Sequence, residues 1–402
     1  MSSDPAPHEF AKAQRRGPSA GQARFRQIAQ SLREAIAGGV YRAGDHLPTE
    51  MELAREHQVS RVTAAAALTE LARAGLVTRT PRRGTIVQGG LPYPGSTPRP
   101  LVAWVVMRVE STFGLSLLRG IQLGARDAGF GLLLADSGAT MEDEMQAIRD
   151  AVTSGAKGIM IFIRDGEHYN AEVLRLVLGG YPVVLVDRYL RGVPCASVSS
   201  DNVEGSRMLV NELLDAGHRH ICVLTFPPSD TSTIQDRIHG YVQALTEAGI
   251  PVDYSLHYVL STLDDVNNPP WDLQPRVVED FVDFLQAHAD VTAVYATNAF
   301  LGLVAWRAIQ RLGLRIPDDM SLICVDPLET IPLSVPEVTC GVQQGEAIGR
   351  TAVALLQDVM AGKSPRTVQL QMHLRRAGSV GMPGRAAPQL TGASVPAQVE
   401  LA

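Results

Sequence analysis

The chain has 402 residues, a hydrophobic fraction of 45% and a formal net charge of −6. This length accommodates two or three domains, and the apolar fraction is enough for each of them to bury a core. No apolar run approaches the ~20 residues that a bilayer requires, and the N-terminus has no apolar export signal. These features exclude a membrane-spanning or exported protein and predict a cytoplasmic one.

Charge is distributed unevenly along the chain. Residues 1–90 contain 13 lysines and arginines against 8 aspartates and glutamates, a net charge of +5 that leaves −11 for the remainder. A basic first part on an acidic body indicates that the first part binds a polyanion. The four cysteines are widely spaced and form no CxxC pair, which favours reduced thiols over a disulfide framework.

The N-terminal part begins with residues 1–21, which show no periodicity and are predicted to be a disordered leader. A helix is predicted over residues 22–37, ended by two glycines. Its apolar residues recur at helical spacing and form one stripe: Phe25, Ile28, Leu32 and Ile36.

Two shorter helices and a hairpin follow. Thr49 and Glu52 form a T-x-x-E capping box at the start of the second helix. Residues expected to face inward from that helix are Met51, Leu53 and Ala54. A third helix is predicted from the N-cap Ser60 to about residue 74, and two short strands are predicted over 76–80 and 85–88. This order is typical of a winged helix-turn-helix.

The third helix has the chemistry to enter a DNA groove. Its cap Ser60 leaves the first N–H groups and the positive end of the helix dipole available to a phosphate. Arg61 and Thr63 lie in the first turn, where such helices contact bases. The hairpin tip carries two arginines and a glycine that permits a tight turn: Arg82, Arg83 and Gly84. A solvated basic loop is the alternative interpretation of this tip.

Residues 22–88 resemble the winged helix of the GntR family. The matching segments occur in the family's order: 44–45, 47–50, 53–54, 59–61 with Thr63, 67–68, 75–77 and 83–85. The resemblance implies that the partner is double-stranded operator DNA. It implies DNA contacts at eight residues: Thr49, Ser60, Arg61, Thr63, Arg82, Arg83, Gly84 and Thr85.

One position departs from that family. Ala65 stands where members often have a second arginine, and the helix surface 64–66 consists of three alanines. Such a surface fits thymine methyl groups, but the helix propensity of alanine explains it equally well. The operator is therefore expected to differ from the family's commonest one.

After a proline- and glycine-rich linker at 89–100, residues 101–380 alternate between apolar strands and amphipathic helices. Continuous apolar runs such as LVAWVVM, PVVLVD and SLICVD predict parallel sheets buried on both faces, in two doubly wound α/β lobes. A late helix is predicted at 346–361 and a last strand at 367–374. Residues 381–402 are predicted to be a disordered tail.

Residues 101–380 resemble the effector domain of LacI/GalR-type regulators and the periplasmic sugar-binding proteins. The resemblance implies an α/β fold of two lobes with a ligand in the cleft between them. Combined with the winged helix, it is the architecture of the GntR subgroup that includes the arabinose-responsive repressors. The implied ligand residues are Phe113, Asp187, Arg188, Arg237, Asn298, Asp326 and Gln343.

Planar polar groups and one aromatic face suit a polyol, and most of these residues follow predicted strands, where doubly wound folds open their clefts. Each also has a structural interpretation. Asp187 and Asp326 are alternatively loop caps, Arg237 an ion-pair partner, and Phe113 a core residue. Ala299 and Pro327 depart from the family beside two of the ligand positions, which leaves a non-sugar effector open.

Other function classes lack their residues. An aminotransferase-like body needs a Schiff-base lysine, and none of the three lysines has a suitable setting, while no GxGxxG follows the first strand. His218 and His220 have no supporting metal-ligand spacing. The sequence therefore predicts no enzyme, cofactor or metal. It predicts a homodimeric repressor of carbohydrate-utilisation genes whose operator affinity depends on a sugar-like ligand, with induction the family default and corepression open.

Overall fold

The computed structural model describes residues 20–80, 84–88, 99–107, 109, 111–138, 140–164, 170–227, 231–260, 275–328 and 337–384. The chain divides into two compact units, Met1–Pro98 and Arg99–Ala402. Within the described ranges, no helix has the length and apolar character to cross a membrane.

The first unit is a winged helix-turn-helix. Its elements are α1 (Ala20–Ala37), α2 (Glu50–Glu56), α3 (Arg61–Arg73), β1 (Val77–Thr80) and β2 (Gly84–Val87). The capping box of Thr49 and Glu52 is confirmed, and so is Ser60 as the N-cap of α3. Gln58 adopts a φ of 50° in the turn between α2 and α3, an uncommon conformation that makes the turn sharp.

Two side chains of this unit lie on the face opposite to their prediction. Met51, expected to face inward, is 68% exposed, whereas Leu53 on the same helix is buried. Ala64, expected on the surface, is fully buried. It lies three and four residues from Ala67 and Leu68, so all three point from one face of α3 into the core.

The second unit contains two six-stranded sheets with helices on both faces. The first lobe begins with β3 (Leu101–Val106), α4 (Thr112–Asp127), β4 (Gly131–Asp136), α5 (Met141–Thr153), β5 (Ile159–Ile161), α6 (Ala171–Leu178), β6 (Val183–Val186) and β7 (Ala196–Ser200). The second lobe contains α7 (Asn202–Asp215), β8 (Ile221–Thr225), α8 (Ser232–Glu247), β9 (His257–Val259), α9 (Pro275–Ala287), β10 (Ala293–Ala296), α10 (Ala299–Arg311), β11 (Ser321–Val325) and β12 (Thr339–Val342). The chain then continues through α11 (Gly345–Met360), β13 (Thr367–Leu370) and β14 (His373–Arg375).

The two sheets have matching strand orders, β4-β3-β5-β6-β7-β13 and β9-β8-β10-β11-β12-β14. Every strand pair within them is parallel except β12 with β14. Alternate residues of β3 enter the apolar layers on opposite faces of the first sheet, as a doubly covered sheet requires. The predicted two-lobed, doubly wound α/β fold is confirmed.

The strands that the sequence did not predict are polar or short. The buried strand β7 has the sequence ASVSS, and β12 has the sequence TCGV. The predicted last strand, 367–374, is wrong as one element. Its first half is β13 in the first lobe and its second half contributes to β14 in the second, because the chain crosses between the lobes there.

The chain crosses between the lobes three times, after β7, after β12 and after β13, and hydrogen bonds join the three crossings. The Ser200 hydroxyl donates to Oε1 of Gln343 at 2.8 Å. The main-chain N–H of Asp201 donates to the carbonyl of Leu370 at 2.8 Å, and Nε2 of Gln344 donates to the carbonyl of Gln371 at 2.7 Å. The hinge between the lobes is therefore a single bonded unit.

The start of the predicted disordered tail is wrong, because residues 381–384 are part of the second lobe. The buried His218 ring lies 3.0 Å from the carbonyl of Gly381, and the main-chain N–H of Gly381 donates to the Ser321 hydroxyl at 3.0 Å. Residues 385–402 of the tail, like residues 1–19 of the leader and 89–98 of the linker, lie outside the described residues.

Helices α4 and α11 pack with their backbones almost in contact. A Cβ atom on Gly120 of α4 would collide with the main-chain oxygen of Glu346 in α11, and one on Gly349 would collide with the main chain of α4. Only hydrogen atoms fit there, so the two glycines set the distance between the helices.

Gly120→Ala is expected to lower the unfolding free energy of the effector domain by about 1–3 kcal/mol, because the helices must separate to admit the methyl group. Urea denaturation followed by circular dichroism measures the change. Gly378→Ala is the matched control, since no atom lies within 4 Å of its added Cβ. Equal stability of the two variants would contradict the packing argument.

Candidate functional site

The first turn of α3 is organised by its cap and by one carboxylate. Ser60 accepts a hydrogen bond from the main-chain N–H of Thr63 at 3.2 Å, and their hydroxyls lie 2.8 Å apart. The Arg61 side chain is 70% exposed, and its Nε donates to Glu50 of α2 at 3.0 Å. Glu50 also pairs with Arg79 of β1. Hydrogen bonds from Arg61 and then Arg79 lower the pKa of Glu50, so the carboxylate stays ionised and braces both arginines.

Of the four DNA contacts predicted in the wing, the structure describes Gly84 and Thr85. Gly84 has a φ of 88°, a conformation that favours glycine. Thr85 was predicted to contact DNA, but it is only 5% exposed. Its main-chain carbonyl accepts a hydrogen bond from the main-chain N–H of Leu47. Its side chain is therefore a packing residue, which corrects the prediction. Arg82 and Arg83, also predicted DNA contacts, lie outside the described residues.

In the second unit, Asp187 and Asp326 occupy equivalent places in the two lobes. Asp187 directly follows β6 and Asp326 directly follows β11, the fourth strand of each sheet. Both have positive φ values, 69° and 63°, which are uncommon outside glycine. The main-chain N–H of each aspartate donates to a carbonyl of the neighbouring strand.

Arg237 of α8 reaches the same region from a buried position. Its Nε donates to Oδ1 of Asn202 at 2.8 Å, and its Nη1 donates to the carbonyl of Thr297 at 2.7 Å. Its Nη2 makes a longer contact, 3.4 Å, to Oε1 of Gln343. The guanidinium group thus joins the start of α7, the end of β10 and the hinge.

Gln343 connects Arg237 to Asp326. Its main-chain N–H donates to Oδ1 of Asp326 at 3.0 Å, and its Nε2 donates to Oδ2 at 2.6 Å. Hydrogen bonds therefore bring Arg237, Gln343 and Asp326 together at the hinge. No hydrogen bond joins Asp187 to them, although Arg237 acts on its titration through space.

Burial dominates the protonation of both aspartates. It raises the pKa of Asp187, and the charges of Arg237 and Arg188 oppose this only in part. It also raises the pKa of Asp326, against hydrogen bonds from Gln343. Among the described residues, Oδ1 of Asp187 is buried and has no hydrogen-bond partner. A buried acceptor without a donor is costly, so this atom is suited to a donor from outside the protein.

The remaining predicted ligand residues are held by other contacts. Asn298 caps α10, with Oδ1 accepting from the main-chain N–H of Leu301 at 2.9 Å. The Arg188 guanidinium lies 5.2 Å from the centre of the Phe162 ring and donates to the Ile163 carbonyl. Phe113 lies in the first turn of α4 and packs against the core of the first lobe, as its structural interpretation proposed.

The sequence missed a contact between the lobes beside this site. The Tyr189 hydroxyl donates to both oxygens of Asp236 in α8 at 3.0 Å, and the Tyr189 N–H donates to the Ser232 hydroxyl at 3.1 Å. Arg191 adds an ion pair to Asp236 at 3.5 Å. Tyr189 and Asp236 are neighbours in sequence of Asp187 and Arg237. In the sequence, the only sign of this contact was that Tyr189 and Asp236 each lie next to a predicted ligand residue.

Comparison with known proteins agrees with this division of the chain. Residues 25–87 match the bacterial regulatory proteins of the gntR family, and residues 210–380 match the periplasmic binding protein-like domain. The chain therefore combines a GntR-type winged helix with a periplasmic-binding-protein-like domain. In this regulator the winged helix supplies the DNA-binding element, and the two-lobed unit supplies the ligand-binding element.

Curated relatives of the regulator are repressors. It is 25% identical over 344 residues to the arabinose metabolism transcriptional repressor of Geobacillus stearothermophilus, an alignment that covers 81% of this chain and 90% of the relative. It is 26% identical over 260 residues to the HTH-type transcriptional repressor CytR of Escherichia coli (strain K12), covering 64% of this chain and 72% of the relative.

Solved structures show that the fold is shared. The complex of the transcriptional regulator CelR with cellobiose superposes with a TM-score of 0.60 at 23% identity, over 83% of this chain and 100% of that chain. A putative ribose operon repressor from Burkholderia thailandensis gives a TM-score of 0.59 at 24% identity, over 69% and 98%. At these identities the likeness concerns the fold alone.

The raised pKa of Asp187 has a consequence for stability. Because the folded pKa lies above the unfolded value, the contribution of Asp187 is fully present below the unfolded pKa of about 3.9 and is lost as pH rises through the folded pKa. Asp187→Asn keeps the shape and tolerates positive φ but cannot ionise. Between pH 4 and pH 8 the variant is expected to lose less thermal stability than the wild-type protein, and to be at least as stable at pH 8.

Differential scanning fluorimetry across that pH range measures the effect, with the wild-type and variant curves subtracted so that titratable groups that do not interact with Asp187 cancel. A constant difference at every pH would show that ionisation of Asp187 carries no cost in the fold.

Proposed function

We propose that this regulator acts in the cytoplasm as a homodimer, represses carbohydrate-utilisation genes, and has its operator affinity set by a small polyhydroxylated ligand bound between the lobes. The observation that carries the proposal is Oδ1 of Asp187, buried without a hydrogen-bond partner among the described residues at the end of β6. A ligand hydroxyl is a neutral donor that satisfies such an acceptor without adding charge.

The surrounding groups support a polyol. Arg237 and Gln343 supply planar donors, and Asp326 supplies acceptors in fixed directions. A polyol alternates donors and acceptors over a short distance, so it can exchange bonds with this set without leaving a buried polar group unsatisfied. The carboxyl ends of strands in doubly wound folds are the usual place for such sites.

The position of these groups also supports control by the ligand. Gln343 lies in the hinge, Asp187 follows a strand of the first lobe, and Arg237 lies on a helix of the second. A ligand that bonds to all three stabilises one angle between the lobes over others. In a homodimer, that angle would change the spacing of two winged helices on a pseudo-palindromic operator.

The relatives support the effector class. Two are named arabinose metabolism transcriptional repressors, and one structural neighbour is a complex with cellobiose. We extend from them the class of ligand, a sugar. Our proposal for the sign of the response is loss of operator affinity on ligand binding. Predicted ligand contacts at Arg188, Asn298 and Phe113 remain part of the proposal, with Phe113 the weakest because it is partly buried against the core of the first lobe.

Arg61→Ala is expected to lower operator affinity by about 1–3 kcal/mol and to relax selectivity at one base pair, because its forked donors match a guanine edge. Electrophoretic mobility shifts on a set of single-base operator variants measure both effects. Arg73→Ala, which removes the same charge at the far end of α3, is the control and is expected to leave base selectivity unchanged. If Arg61→Ala weakens all DNA equally, Arg61 is a phosphate contact.

A sugar that binds the cleft is expected to raise the thermal midpoint of the wild-type protein, because it binds only the folded state. A panel of pentoses, hexoses and disaccharides that includes L-arabinose and cellobiose is the probe. Arg237→Ala and the milder Asp187→Asn are expected to abolish the shift, whereas Arg276→Ala, on an exposed helix face, is expected to retain it.

The same sugar is then added to a mobility shift, where release of DNA supports induction. A shift in thermal midpoint that survives in both cleft variants would contradict the assigned site. A panel with no stabilising member would contradict a sugar effector while leaving DNA binding intact.

A further inference from the structure

From Val62 to Thr69, the outward face of the recognition helix α3 consists almost entirely of methyl groups. Val62 is 79% exposed, although it lies in the first turn beside Arg61. Ala65 and Ala66 are half-buried on the same side. At 100° per residue, Val62, Ala65, Ala66 and Thr69 lie within a stripe ~100° wide. The buried stripe Ala64, Ala67, Leu68 and Leu71 lies on the opposite side.

Thr69 brings a hydroxyl to this stripe, but the hydroxyl is already engaged. It donates to the carbonyl of Ala65 at 2.8 Å and accepts from Nη1 of Arg79 at 2.8 Å. Its methyl group therefore remains as its free surface. Between Val62 and Thr69 the face offers apolar contacts and no uncommitted hydrogen-bonding side chain.

The hydrogen-bonding side chains of the first turn lie beside this stripe. Arg61 lies on one flank, where Glu50 holds its Nε. Thr63 lies on the other flank, where its hydroxyl bonds to Ser60. A base edge facing the centre of the helix therefore meets carbon, while a base at the Arg61 flank meets a guanidinium group.

We propose that Val62, with the methyl stripe behind it, determines operator specificity by contacting the 5-methyl groups of thymines in the major groove. Thymine is the base whose major-groove edge carries an apolar group, so it is the base that gains from a valine at this position. The inference rests on the proposed DNA-binding function and adds its base preference. It also accounts for Ala65, since a long arginine there would cover the stripe.

Replacing thymine by deoxyuridine removes the 5-methyl group and leaves every Watson–Crick and major-groove hydrogen-bonding atom in place. A DNA fragment selected from a random pool by the full-length wild-type protein serves as the probe, synthesised once with thymine and once with deoxyuridine. The wild-type protein is expected to bind the thymine fragment about four-fold more tightly for each methyl group buried.

Val62→Ser is expected to reduce the ratio of the affinities for the thymine and deoxyuridine fragments to about half of the wild-type ratio or less. The reason is that a serine hydroxyl cannot replace the apolar contact of the valine methyl groups. Val40→Ser is the matched control, because Val40 is 71% exposed and lies outside α3, and it is expected to keep the wild-type ratio. Circular dichroism confirms that both exposed substitutions leave the fold intact.

The outcomes separate the inference from the function beneath it. A wild-type protein that enriches no fragment from the pool overturns the DNA-binding proposal itself. Equal binding of the two fragments by the wild-type protein overturns the methyl contact. A thymine preference that Val62→Ser leaves unchanged also overturns it, because the methyl groups would then be sensed elsewhere or through DNA shape.

Discussion

Arg237 carries a charge into a buried position at the boundary of the two lobes, and the hinge is built to satisfy it. Its donors are taken by a side-chain amide, a main-chain carbonyl and Gln343. Among the described residues, no carboxylate lies within ion-pair distance of the Arg237 guanidinium group. Its positive charge interacts through space with Asp187 and Asp326. Both carboxylates are themselves disfavoured by burial. The arrangement keeps polar groups in place at a cost, which is typical of a site that serves a ligand.

The contact of Tyr189 with Asp236 connects the two lobes beside this site. It joins the segment after β6 to helix α8, and these are the two segments that carry Asp187 and Arg237. A change in the position of Asp187 or Arg237 is therefore expected to reach a bond between the lobes. The three bonded crossings of the hinge restrict the remaining freedom to a change of angle, which is the kind of motion that packed lobes allow.

In the winged helix, one carboxylate holds two arginine side chains in place. Glu50 is shared by Arg61 and Arg79, so α2, α3 and β1 are joined through one carboxylate. This sharing presents Arg61 in a defined direction while leaving it exposed. The buried alanines of α3 let the helix pack closely on the core, and the half-buried Ala65 and Ala66 leave its outer surface smooth.

Local sequence patterns were enough to predict the architecture and the positions of several candidate site residues. Helical spacing and the caps at Thr49 and Ser60 placed the winged helix, and uninterrupted apolar runs placed most strands, because local propensity and burial agree there. Asp187 and Asp326 were predicted at strand ends, where the structure places them, although their roles remain proposals.

The remaining strands and side-chain contacts depend on the tertiary structure. Polar strands such as β7 and β12 are buried by their neighbours, which no local pattern records. The residues that satisfy Arg237 come from segments more than thirty residues away from it, and Thr69 loses its hydroxyl to Arg79 of the wing. Thr85 was predicted to contact DNA at the surface, but it is buried in the folded wing. These outcomes depend on long-range contacts, whereas the sequence specifies directly only what neighbouring residues do to one another.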